Sequence, residues 1–172
     1  MSKTATYALI EAKTLGSATA TVTFSSIPGT YTDLILVING TTSVNGAGII
    51  FTFNGDTASN YSLTYIRGTG TAAVTGRSSA LNYGYLSYGA GFSSTEICNG
   101  IMQIQDYSNT TTNKTTINRV NNAAGSLGQG TEATVNLWRS TSAITSIAFS
   151  ADSGNLGSGM TLRLYGIQAG NA

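Results

Sequence analysis

Apolar and polar residues alternate with a period of two along most of this chain, in short runs punctuated by Gly, Asn and Ser. Successive side chains of a strand point to opposite faces, so this alternation marks β-strands with one buried face. It predicts strands at Ala20 to Ile27, Asp33 to Asn39, Ile49 to Asn54, Tyr61 to Arg67, Ala72 to Gly76, Ile97 to Tyr107, Thr115 to Val120, Ala133 to Arg139, Ile144 to Ser150 and Met160 to Ile167. Short strands joined by polar loops in this number predict an all-β chain: a single antiparallel β-sandwich, jelly-roll-like, with an extended N-terminal arm. In Ile49-Phe51-Phe53, Met160-Leu162-Leu164 and Ala143-Thr145-Ile147-Phe149 one face is mainly apolar and the other mainly Thr, Ser or Arg, as in strands with one wet face.

Leu34 to Ile38 departs from that pattern, because LILVI is apolar on both faces and must be covered twice. It is central in the sandwich or buried against a neighbouring subunit, and Leu34, Leu36 and Ile38 are the candidate subunit-interface residues. The single proline, Pro28, falls between two predicted strands, where its fixed φ and missing N–H suit a turn. Helical periodicity is nearly absent: Tyr7 to Leu15 is short and uncapped and reads as extended. The organisation expected is an arm over residues 1–17 and one sandwich domain over residues 18–172.

The stretch FNGDTASNYSLTYIRG, Phe53 to Gly68, gathers Asp, Asn and Gly in a way that raises a calcium loop or a catalytic acid. Asn54-Gly55 follows the alternating run IIFTF, and the run YSLTYIR begins six residues beyond Gly55, which is the spacing of a hairpin with a rather long loop. Gly55 takes φ > 0 without strain, and Asn54, Asp56 and Asn60 can bond backbone N–H groups as Asx turns do. A calcium site wants several carboxylates, whereas Asp56 is the only acid between Asp33 and Glu96. Asn54, Gly55 and Asp56 are therefore expected to be turn residues.

Composition narrows the function. Charged residues are 9 % of the 172, against about 25 % in an average soluble chain. A net charge of +1 offers no footprint for nucleic acid or an anionic membrane, and no run reaches the length of a membrane span. Histidine is absent, which removes the usual general base and the Ser-His and Cys-His pairs. Cys98 lies among apolar neighbours in EICNGIMQI and reads as a buried small hydrophobe. The seven acids form no local pair of the glycosidase kind, and the Gly-rich segment Gly68 to Arg77 lacks the Gly-Lys-Ser/Thr ending of a phosphate loop. No enzyme activity, cofactor or metal is expected. The N-terminus has no signal-peptide core, so synthesis in the cytoplasm is expected.

NYGYLSYGAGF, Asn82 to Phe92, spaces Tyr83, Tyr85, Tyr88 and Phe92 with glycine and serine. These four are candidate surface or interface residues that stack on sugar rings or fill a protein contact. The competing reading is a further strand with Tyr83 and Tyr85 packed on the sandwich.

Three pieces together, TYALIEAKTLGSATATVTFSSIPGTYTDLILVI at Thr6 to Ile38, FNGDTASNYSLTYIRG at Phe53 to Gly68 and GMTLRLYGI at Gly159 to Ile167, resemble a group of small virion structural proteins of tailed bacteriophages. The group includes head decoration (cement) proteins and tail-associated or fibre proteins. The resemblance implies a β-sandwich, often a homotrimer, on the exterior surface of the virion, and it supplies no catalytic residues. The function expected is a capsid decoration protein that binds the major capsid protein and stabilises the head. The alternative is a receptor-binding module of a tail or head fibre that recognises host surface glycan.

Overall fold

A computed structural model of the chain describes residues 6–122 and 130–168. Twelve strands occur among the described residues, in the order β1 (Tyr7–Thr14), β2 (Thr21–Phe24), β3 (Asp33–Gly40), β4 (Ala47–Phe53), β5 (Tyr61–Gly68), β6 (Ala73–Leu81), β7 (Gly84–Phe92), β8 (Cys98–Ile104), β9 (Lys114–Asn121), β10 (Thr131–Trp138), β11 (Ile147–Ala151) and β12 (Thr161–Ile167). They form two antiparallel sheets: a larger one ordered β1-β12-β3-β8-β9-β10-β5-β6 and a smaller one ordered β2-β11-β4-β7. From β1 to β5 each strand lies in the opposite sheet to the one before, the alternation of a jelly roll, although here the sheets are unequal.

The core lies between the sheets. Phe24, Phe51, Phe53 and Phe149 from the smaller sheet meet Leu34, Leu36, Ile38, Met102, Ile104, Leu162 and Leu164 from the larger. Each side chain of this size removed from water contributes about 1.5–3 kcal/mol. Rings interlock at one end, with Phe51 and Phe53 centroids 4.9 Å apart and Trp138 stacked on Tyr61 at 6.3 Å. Cys98 is fully buried in this core, as its apolar setting predicts.

Three expectations are revised. Leu34, Leu36 and Ile38 are fully buried inside the chain, facing the smaller sheet, and the outward side of β3 carries Ile35 and Val37 instead. A strand apolar on both faces gives no parity signal, so the sequence could not say which set turns inward. Residues 7–14 are extended, as expected of an arm, but they run antiparallel along β12 as the outermost strand of the larger sheet. Ile10 and Leu15 pack against the core, and residues 1–5 of the expected arm lie outside the described residues. Finally, β4 and β5 are not a hairpin. β4 pairs with β11 and β7, β5 pairs with β10 and β6, and the Asn54-Gly55 turn starts a crossing from one sheet to the other.

Candidate functional site

The larger sheet has one face on the core and one turned away. The pairing register places Leu9, Tyr165, Ile35, Gln103, Ile117, Val135, Thr64 and Arg77 side by side across all eight strands on the outward face. The adjoining outward row is Ala12, Arg163, Val37, Ile101, Arg119, Ala133, Ile66 and Thr75. Leu9 and Ile66 are each 56 % exposed, Val135 49 % and Ile117 45 %. Shallow depressions of about 300 to 380 Å3 open on this face, one between Tyr7, Ile35, Ile101 and Ile117 and another between Ile66, Ile117, Ala133 and Val135. Arginines 77, 119 and 163 stand among the apolar residues.

β9 and β10 are turned inside out. Lys114, Thr116 and Asn118 of β9 and Glu132, Thr134 and Asn136 of β10 are buried, while Ile117 and Val135 face away from the core. The alternation rule would place the apolar set inward. The reason lies in β7, which is the edge strand of the smaller sheet and lies over β10, flanked by β9 and β5. Its outer backbone groups have no strand beside them, and buried unpaired groups are costly. Side chains of the opposing sheet supply the partners. Asn136 Oδ1 accepts from the Tyr85 N–H at 2.9 Å, and the Asn136 and Asn118 amides donate to the Tyr85 carbonyl at 2.9 and 2.8 Å. The Glu132 carboxylate accepts from the N–H groups of Tyr88, Gly89 and Ala90 at 2.6, 2.7 and 2.9 Å and from the Thr134 hydroxyl at 2.9 Å. Asn122 Nδ2 donates to the Gly91 carbonyl. This ladder of side chains welds the sheets together and leaves Ile117 and Val135 outside, while Val120 and Trp138 at the strand ends stay on the core side.

The tyrosine-rich segment forms β7 and its lead-in. Two candidate surface residues are buried: Phe92 fully, with Leu86 and Ala90 against the core, and Tyr85 almost so, packed on the sandwich as the competing reading has it. Tyr83, Tyr85 and Tyr88 do come together, at centroid distances of 5.3 Å (Tyr83 to Tyr85) and 4.8 Å (Tyr85 to Tyr88). Tyr65 of β5 extends the run, 5.1 Å from Tyr88. Tyr65 escapes a reading of the sequence because its strand is twenty residues upstream, and only the crossing topology brings it here. Burial pushes the Tyr85 phenol well above its ordinary range, aided by a hydrogen bond to Tyr83 and by the nearby Tyr83, Asp152 and Tyr88.

Asn54, Gly55 and Asp56 are turn residues. Asn54 and Gly55 have φ of 52° and 70°, and the Asp56 N–H donates to the Phe53 carbonyl at 2.9 Å, closing the left-handed two-residue turn that Asn-Gly favours. Asp56 Oδ1 accepts from the Ala58 N–H at 2.9 Å; Oδ2 accepts from Asn60 Nδ2 at 2.9 Å and from the Trp138 indole at 2.7 Å. Both carboxylate oxygens are therefore engaged by protein donors. No group of three or more potential metal ligands occurs among the described residues. Nor is there a helix, among the described residues, long and apolar enough to cross a membrane.

No family model and no curated protein matches the chain. Among solved structures, exo-inulinase from Aspergillus awamori aligns with a TM-score of 0.42 and 9 % identity, over 94 % of this chain and 29 % of that one. The mouse laminin alpha1 domains LG4-5 align with a TM-score of 0.32 and 16 % identity, over 89 % and 40 %. A Shewanella oneidensis MR-1 protein of unknown function aligns with a TM-score of 0.28 and 12 % identity, over 99 % and 79 %. The chain spans less than half of the length of the first two. Likeness this distant carries no argument about function.

Proposed function

We propose that the chain is a virion structural protein of a tailed bacteriophage, a capsid decoration protein carried as a homotrimer on the exterior of the head and made in the host cytoplasm. It attaches to the major capsid protein through the outward face of the larger sheet. The observation that carries this reading is the inside-out arrangement of β9 and β10, which leaves Ile117 and Val135 on an outward face continuous with Leu9, Tyr165, Ile35 and Ile66. Eight strands at about 4.8 Å and four outward residue rows give a face of roughly 35 by 20 Å, or about 700 Å2. A standard stable interface buries about 800 Å2 a side, so the face is of the right order for one partner. Arg119 and Arg163, set within it, favour a partner surface with carboxylates at matching positions. The resemblance of three sequence segments to phage virion proteins supports the same reading.

The test is the copy number of the protein in purified particles, by quantitative mass spectrometry against the major capsid protein. Decoration predicts a number proportional to that of the shell subunit. A handful of copies, or none, contradicts it.

A further inference from the structure

We infer that the accessible parts of Tyr83, Tyr88 and Tyr65, gathered around the buried Tyr85 ring, form a binding site for a neutral oligosaccharide. It lies at the exposed side of β7, where the smaller sheet ends and β5 and β6 continue beyond it. Tyr65 belongs to the inward-facing set of β5, paired with Thr134, so the site is on the opposite side of the larger sheet from the docking face. It stands independently of the decoration reading.

Three features point to a saccharide. The rings touch in sequence, at 5.3, 4.8 and 5.1 Å; Tyr85 is buried and fixes Tyr83 and Tyr88 on either side of it, and Tyr88 at the centre of the exposed part is 38 % accessible. Axial C–H bonds of a pyranose carry partial positive charge and settle on the negative face of an aromatic ring, while phenol hydroxyls at the ring ends can exchange hydrogen bonds with sugar hydroxyls. The backbone that carries Tyr88 is also held still. Glu132 takes the N–H groups of residues 88 to 90, and a Cβ at Gly89 would fall 1.9 Å from an Arg67 guanidinium nitrogen, so the chain is clamped between the two. Rings presented on a fixed backbone lose little freedom when a ligand arrives.

The charges choose among sugars. The Arg67 guanidinium is packed against Gly89 beside Glu132, and Asp152 raises the Tyr85 phenol through its charge. An anionic sugar would meet an existing carboxylate on each side, Glu132 and Asp152. A neutral chain with equatorial linkages, flat and lined with C–H bonds, is the matching chemistry.

The experiment is calorimetric titration of the full chain with cellohexaose, with chitohexaose and with an oligogalacturonate of equal length, alongside thermal melts and solution mass. Saturable binding of at least one neutral probe is expected. Tyr88→Ala and Tyr65→Ala should each weaken it about tenfold, and Tyr88→Phe should change it by less than about twofold, since stacking survives. The melts of all three variants should match the parent, showing that the fold is intact. The inference is overturned if neither neutral probe binds at millimolar concentration, if binding ignores both alanine variants, or if the anionic probe is preferred. It is equally overturned if Tyr88→Ala changes the solution mass while no saccharide responds, which would assign the rings to a protein contact.

Discussion

Asp56 joins parts of the chain that are far apart in sequence. Its carboxylate ties the Asn54-Gly55 turn to Asn60 and to the Trp138 indole at the end of β10, and so fixes the crossing between the sheets. The Asn60 amide holds the Asp56 carboxyl below its ordinary value; burial opposes this, and the Trp138 indole and the Ala58 N–H add to the lowering. A carboxyl more acidic when folded stabilises the fold fully above the unfolded-state value of about 4 and loses that contribution as pH falls below it. Urea midpoints should therefore decline below about pH 4, and the decline should be smaller in Asp56→Asn. At neutral pH that variant should fold but lose about 1–2 kcal/mol, because an amide in place of the carboxylate presents a donor to groups that are all donors. Chelator should leave the melting temperature unchanged, as both oxygens already have protein partners.

At the scale of elements, the stability of the sandwich should depend on the polar ladder under β7 as much as on its apolar core. Glu132→Ala strands three backbone N–H groups and should cost about 3 kcal/mol or more in denaturant titration. Asn136→Ala should cost about 1–3 kcal/mol and Asn118→Ala less, because Asn118 makes one of these bonds and its Oδ1 has no partner. The double variant should lose more than the sum, since either amide alone still serves the Tyr85 carbonyl. Equal and additive losses would show that the ladder is not a shared support. The same ladder explains what the sequence did and did not disclose. Strands such as β4 and β12 were legible because Ile49-Phe51-Phe53 and Leu162-Leu164 alternate cleanly against one core. β7 was legible only as one of two readings of a tyrosine-rich stretch, since Gly and Ser break its pattern and its outer edge is served by side chains. β1 was hidden by the bulge between Leu9 and Glu11, which breaks the period of two. Inward Glu132 and Asn136 gave no signal at all. Their burial is decided by a strand more than forty residues away, and TEATVNLW reads equally well with Ala133, Val135 and Leu137 inward.

At the scale of the whole molecule, the two proposals fall on two different sides of the chain. One is the narrow edge of rings at β7; the other is the broad outward face of the larger sheet, apolar with three arginines and bounded at one end by the row Thr14, Thr161, Asn39, Asn99, Asn121 and Thr131. The central claim, that this face is the attachment surface, is tested most directly by thiol labelling of Ile117→Cys and Val135→Cys, with Val44→Cys as a control on an exposed loop away from the face. Native Cys98 is fully buried and stays silent, so each variant reports a single position. All three thiols should react readily in the free protein. On phage particles carrying the protein, residues 117 and 135 should be protected while residue 44 still reacts. Equal labelling of residues 117 and 135 in the free and the particle-bound protein would contradict the account.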